Sequence, residues 1–278
     1  MRYKIIISLL LISFFSQAQE KIKDRSGFTY GGGVGIMMAS GKNAMFYNGS
    51  DDKQNAVINV IGNPLEPYNS TESSSQSKFY KAINNDSVIG IQYPTKMSYN
   101  PAVTLHGYLA YILKNQNAIY GEITYSKCTV NGVFSIELAS FDTTSFNNSA
   151  HKIIEGGLKG SENRVDIEVG YHLIISRTNK IMPFLDFFCN LNTVQVKSDQ
   201  MKVGSFTASL MHTTVSNYYS NQSQGGTGYG FGSTFGIEAP LKNRMYYNIG
   251  LKGTLKTIHL LDNPTLTPHV DLFARVLF

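Results

Sequence analysis

An all-β fold, closed as a transmembrane antiparallel up-and-down β-barrel of eight strands with long external loops, is what this sequence predicts. Three observations carry the expectation. Apolar residues recur with period two along most of the chain; short and long connections alternate; and beyond the first 19 residues no apolar run approaches the roughly 18 residues that a membrane helix needs. Composition agrees. Of 278 residues, 42% are hydrophobic and only 15% charged, which excludes a disordered chain, and no Ala/Leu/Glu/Lys excess supports a coiled coil. The net charge of +5 is spread without a Lys/Arg cluster, so no nucleic-acid partner is expected.

The N-terminus carries its own pattern. Arg2 and Lys4 precede an apolar run from Ile5 to Phe15, and Ser16-Gln17-Ala18 follow. A charged stretch, a short apolar stretch and small residues, in that order, read as a secretory signal peptide over 1–19, with 20–278 as the exported domain.

The strands follow in order. Phe28–Ala39 is a glycine-rich strand. Val103, Leu105, Leu109 and Tyr111 alternate with Thr104, His106 and Tyr108, and Ile119, Ile123 and Tyr125 alternate with Tyr120, Glu122 and Thr124. Val165, Ile167, Val169, Tyr171 and Leu173 alternate with Arg164, Asp166, Glu168 and His172. Ile181–Val196 is apolar on both faces, and Thr227–Leu241 is again glycine-rich. Tyr247, Ile249, Leu251 and Leu255 alternate with Asn248, Lys252 and Lys256. From Leu266 to Phe278 every even position is apolar, while the odd positions from Thr267 to Arg275 include His269, Asp271 and Arg275. Lys114–Asn117, Arg177–Lys180 and Lys242–Arg244 are short polar turns; about 42–98, 131–162 and 197–226 are long connections, and a further short one lies near Asp262-Asn263-Pro264. A barrel that crosses a membrane has reason to keep short turns on one side and long loops on the other. Ten strands result if Phe134–Leu158 folds into the membrane.

With alternate faces turned to lipid and lumen, the inward set includes Glu122, Arg164, Asp166, Glu168, Glu238, Lys252, Asp271 and Arg275, with His106, His172 and His269. Both charge signs on several strands point to ion pairs that plug the lumen rather than to a catalytic site. No H-E-x-x-H, His pair at i, i+4 or C-x-x-C occurs, so no metal or cofactor is expected. Cys128 and Cys189 fall on opposite faces of non-adjacent strands and are expected to be free. Gly31-Gly32-Gly33-x-Gly35 and Gly225-Gly226-x-Gly228-x-Gly230-x-Gly232 lie within strands with no helix after them. They are read as room for bulky neighbours, not as phosphate loops. The long loops interleave Asn, Ser and Gln with aromatics; 42–98 is expected to be partly ordered, with a short helix near Ser77–Ala82. Tyr47, Tyr68, Tyr80, Tyr218 and Tyr219 are the candidate binding side chains there.

From Phe28 to Phe278 the chain resembles the eight-stranded outer-membrane β-barrel family, the architecture of the OmpA membrane domain and OmpX. The resemblance is carried above all by the final alternating strand, which ends on the aromatic Phe278. It implies an outer-membrane location in a Gram-negative cell, contact with outer-membrane lipids, and Phe278 as the signal to the barrel-assembly machinery. It also implies a cell-surface protein of structural or interaction type rather than an enzyme, its loops binding a partner protein or surface ligand. An accessory subunit of a secretion or envelope-assembly complex, similar to type IX components, is the alternative. A lipid-modifying enzyme or a narrow channel ranks below both.

Overall fold

The computed structural model describes residues 26–50, 55–62, 75–141, 150–176, 181–211, 224–241, 245–260 and 264–278. The expected signal peptide and the turns at 177–180 and 242–244 lie outside them. Ten strands are present: β1 (Gly27–Met38), β2 (Val88–Gln92), β3 (Ala102–Ile112), β4 (Ala118–Phe141), β5 (His151–Ile174), β6 (Met182–Val203), β7 (Phe206–Ser209), β8 (Gly225–Pro240), β9 (Tyr246–Thr257) and β10 (Leu266–Leu277). Eight of them form a closed antiparallel ring in the order β1-β3-β4-β5-β6-β8-β9-β10. The ring closes where β10 pairs with β1, from Gly31 opposite Leu277 to Met38 opposite Val270, and Phe278 N–H donates to the Tyr30 carbonyl at 2.8 Å. Closure leaves the ring no free strand edge, which is the condition for strands to lie in hydrocarbon.

The faces are inverted relative to a water-soluble barrel. Strand β3 alternates buried and exposed at every position, and its exposed side chains are Val103, Leu105, Leu109 and Tyr111. Ile123, Val169, Leu191, Phe231, Leu251 and Leu272 continue that apolar belt round the other strands. Charged and hydroxyl side chains turn inward. Strand β6, apolar on both faces in sequence, resolves into Phe187 and Leu191 outside, with Phe184 and Phe188 filling the lumen.

Glycines make that filling possible. An added Cβ at Gly230 would stand 2.5 Å from the Lys256 Cβ and 2.4 Å from the Leu255 carbonyl, while at Gly232 it would meet the Phe188 ring at 2.5 Å. Backbone, not loop flexibility, is the reason for the glycine ladder of β8.

Three strands overrun the barrel. β4 and β5 have 24 residues each and β6 has 22, whereas β1, β9 and β10 have 12. A membrane needs about 9–11 residues per strand. The surplus, flanked by β2 on β4 and β7 on β6, makes a five-stranded sheet in the order β2-β4-β5-β6-β7 above the rim. Within the long connection 131–162 the strand-like pieces Phe134–Ala139 and Ile153–Leu158, expected to extend strands beyond the barrel, are the upper parts of β4 and β5, and 197–209, expected as loop, is largely strand as well; the period-two pattern runs on, and Phe134, Ile136, Leu138 and Leu158 keep facing one side. Phe134–Leu158 adds no strand to the ring; the extra pair, β2 and β7, lies outside it. The connection 42–98 folds into α1 (Gly41–Ala44), a 3-10 turn at Met45–Asn48, α2 (Ile58–Ile61) and α3 (Ser75–Ala82), which contains the expected helix. Val57, Ile61 and Phe79 pack on Phe134, Leu158, Met201 and Phe206, giving the cap its own core.

Gly230→Ala is expected to lower stability by about 1–3 kcal/mol, the cost of overpacking against fixed backbone. Urea unfolding followed by circular dichroism in detergent measures it, and a midpoint equal to wild type would contradict the packing account.

Candidate functional site

The barrel interior is stacked in three layers. At the turn end Tyr108, Tyr120, Ile174, Phe184, Tyr246 and Leu277 form an apolar plug. Charges occupy the middle. At the cap end Met37, Phe46, Tyr47, Tyr99, Cys128 and Val196 close the mouth.

Glu122 of β4 is the hub of the middle layer. Lys252 of β9 donates to its Oε1 at 2.7 Å and to Glu168 Oε2 of β5 at 2.6 Å, and Arg275 of β10 donates to Glu122 Oε2 at 2.7 Å. His106 Nδ1 of β3 lies 2.7 Å from Glu122 Oε1, and its Nε2 lies 3.2 Å from Asp271 Oδ2. Lys256 pairs with Asp166 at 2.5 Å, and Asn190 donates to the same carboxylate at 3.1 Å. The Arg275 guanidinium also stacks 3.9 Å over the Tyr108 ring, so aromatic faces share its desolvated charge.

Every expected lumen residue is buried, though they do not form one cluster. Glu122, Glu168, Lys252, Arg275 and Asp271 are linked through shared partners, and Asp166 joins Lys256. Arg164 instead pairs with Glu162 nearer the mouth, with Nε donating to Oε1 at 2.6 Å. Glu238 lies at the turn end, in register with Met182 and Asn248. The expected set lacks Lys256, Glu162 and Asp186. Two of them share the inward parity of a residue that was counted, Lys256 with Lys252 and Glu162 with Arg164. Asp186 sits between Phe184 and Phe188 and holds His172 Nδ1 at 2.6 Å, hidden in a segment whose apolar residues masked its phase.

Thr104 Oγ1, 2.8 Å from His106 Nε2, completes a hydroxyl–imidazole–carboxylate line with Glu122. The line has the distances of an activated nucleophile. The neighbouring void, lined by Asp166, Glu168, Lys252, Lys256, His269 and Asp271 among others, measures about 20 Å³, room for one water and no substrate. Asp271 also accepts from Thr104 at 3.2 Å, so the hydroxyl is already engaged. Among the described residues, no three His, Cys, Asp or Glu side chains converge as metal ligands.

At the mouth, the cap is bolted to the barrel. Tyr47 donates to Glu162 Oε2 at 2.6 Å and Tyr99 donates to the same oxygen at 3.1 Å, while the Arg164 guanidinium lies 4.9 Å from the Tyr99 ring centre. Asn43 of α1 donates to Thr267 Oγ1 at 2.9 Å, and Asn55 donates to Asp199. Tyr47, expected as a candidate binding side chain of the loop, is fully buried: its ring occupies a slot left open by Gly160, where a Cβ would stand 2.2 Å away. Burial foremost, and the Glu162 carboxylate next, push the Tyr47 and Tyr99 phenols far above their ordinary range, so both remain donors. Tyr80 is half-buried against Phe79, and Tyr68, Tyr218 and Tyr219 lie outside the described residues. Phe278 stacks on Tyr30 at 5.8 Å beside the seam, half exposed, and Cys128 and Cys189 are free.

No protein-family model and no curated protein matches the chain. Among solved structures, the crystal structure of Neisserial surface protein A is similar, with 10% identity and a TM-score of 0.45, over 91% of this chain and 96% of its own.

Two outcomes are expected from the site. Glu122→Ala takes from Arg275 its 2.7 Å carboxylate partner and leaves Lys252 with Glu168 alone, and should cost about 3–5 kcal/mol in chemical unfolding, the range for a broken buried pair; a loss below about 1 kcal/mol would remove Glu122 from the centre of the network. In the unfolded chain both mouth phenols ionise near pH 10, whereas the folded cap keeps their protons. Stability of the docked cap is therefore full below about pH 10 and falls as pH rises further. Amide exchange across 43–48 between pH 8 and pH 11 reads this, and Tyr47→Phe, which removes about 1 kcal/mol of hydrogen bonding, should expose those amides at both values.

Proposed function

We propose that the chain is an outer-membrane β-barrel protein of the Gram-negative cell surface that works by interaction rather than catalysis. The barrel serves as an anchor, and the external sheet and its helical cap serve as the binding body. The observation that carries this reading is the combination of a packed lumen with a cap docked above it on its own hydrophobic core. The outward belt of Leu, Ile, Val and Phe on strands of membrane-spanning length supports placement in a bilayer, where crossing is by strands; no described helix is long and apolar enough to cross. The packed interior supports neither conduction nor a buried reaction. An open groove of about 390 Å³ between Lys78 and Lys81 of α3 and the β6–β7 turn, floored by Phe206, offers one concave surface for a ligand.

Purification of the tagged protein from outer membranes in mild detergent, with cross-linking and mass spectrometry, tests the reading. Cross-links to a partner are expected from 42–98 and from the strand extensions, and a stoichiometric partner would make the chain an accessory subunit. In planar bilayers no stable unitary steps are expected; their appearance would overturn the filled lumen.

A further inference from the structure

Outward-facing lysines on the overrunning strands form a pattern that the lumen and the cap do not explain. Above Tyr125, Val165 and Leu191, the upper apolar residues of the belt on three neighbouring strands, stand Lys127 on β4, Lys159 on β5 and Lys197 on β6, all exposed. The pairing register fixes their arrangement. Lys127 is opposite Asn163, which is opposite Gln195; two residues higher, Ser161 pairs with Ser198; two higher again, Asn131, Lys159 and Gln200 align. Lys197 is the extra residue of a β-bulge between Val196 and Ser198, which keeps it on the outer face while returning Asp199 and Met201 to the inner one.

At about 4.8 Å between strands and 3.3 Å per residue, the three ammonium-bearing positions make a triangle roughly 10–15 Å on a side. Inside it lie only hydroxyl and amide side chains: Ser161 and Ser198, bonded to each other at 2.7 Å, with Asn163 and with Gln195, which accepts from Lys197. Among the described residues no ion pair joins any of the three lysines to an acid. The carboxylates of this outer face, Glu137 and Glu155, stand farther up the sheet. The upper exposed positions of the other strands include Met38, Val103, Thr227, Leu255 and Leu266, none of them charged.

We propose that this triangle is a binding site for the phosphate groups of a lipid in the outer leaflet, whose acyl chains lie along Ile123, Tyr125, Val165 and Ile167 directly beneath. The inference rests on the membrane reading proposed above. Three unpaired cations over an apolar wall match a lipid with more than one phosphate: Coulomb attraction holds the headgroup and the belt holds the chains. Ser161, Asn163 and Ser198 offer hydrogen bonds to phosphate oxygens that a cation cluster alone would lack.

The full chain, refolded in neutral detergent, is titrated with a bis-phosphorylated glycolipid and with the same lipid after phosphate removal, and bound lipid is read by native mass spectrometry. Preferential uptake of the phosphorylated form is expected. Combined replacement of Lys127, Lys159 and Lys197 by Ala should weaken that uptake on the order of 100-fold, while Lys114→Ala, in an exposed turn at the other end of the barrel, leaves it unchanged. Equal uptake of the two lipids, or unchanged uptake by the triple variant, overturns the site. Should the triple variant fail to refold, the single Lys159→Glu variant makes the same comparison. Flotation with neutral phosphatidylcholine vesicles is run in parallel. A chain that floats yet shows no phosphate preference loses only this site, whereas a chain that does not float loses the membrane reading and the site with it.

Discussion

Glu122 projects from β4 to a point where β3, β9 and β10 deliver His106, Lys252 and Arg275 within hydrogen-bonding reach, and where Lys252 passes on to Glu168 of β5. Desolvating one of these charges unpaired would cost several kcal/mol, a large share of a domain's net stability, so each depends on the others being in place. That dependence fixes the relative height of five strands. A one-residue slip between any two would turn a charge out into the apolar belt and an aliphatic side chain into the network, and both changes are unfavourable. Backbone pairing closes the ring, and the charged layer sets its register.

The rest of the molecule can be read outward from that layer. The glycines of β8 admit Phe188 and the stem of Lys256, which seal the network below and beside. Glu162 and Arg164, two residues along β5, repeat the buried-pair device one layer higher and add two tyrosines from the cap. The cap is therefore held by polar bonds to the same strand that carries the lumen acids. The hydrophobic core above it needs the strand extensions as its floor, so the external body and the barrel share β4, β5 and β6 without a linker.

Much of this was legible in the sequence because strand parity is a local property. Arg164, Asp166 and Glu168 alternate with Val165, Ile167 and Val169, and no tertiary information is needed to assign their faces. What parity could not supply was height. Phe134, Ile136 and Leu138 keep the period of the belt strands but stand above the belt, and the distinction lies in Lys127 and Asn131 between the two. Nor could it supply long-range partners. Tyr47 reads as an exposed aromatic in a polar loop until Gly160, more than a hundred residues away, is seen to leave a slot for its ring. Asp186 was missed because Phe184 and Phe188 share its face, and a lumen that buries aromatics erases the contrast on which parity depends.

The unequal strand lengths have a geometric consequence. From Tyr125 to Phe141, β4 carries roughly 50 Å of strand beyond the belt at about 3.3 Å per residue, and β5 and β6 rise beside it, while β1, β3, β9 and β10 stop near the rim. The molecule thus has a tall side and a low side. Viewed down the barrel axis it is a crescent wall with helices in its hollow, so rotation about that axis changes what a neighbour meets: the outer face of the sheet on one bearing, the cap helices on the opposite one. A barrel that is nearly symmetric within its apolar belt acquires, above it, a heading.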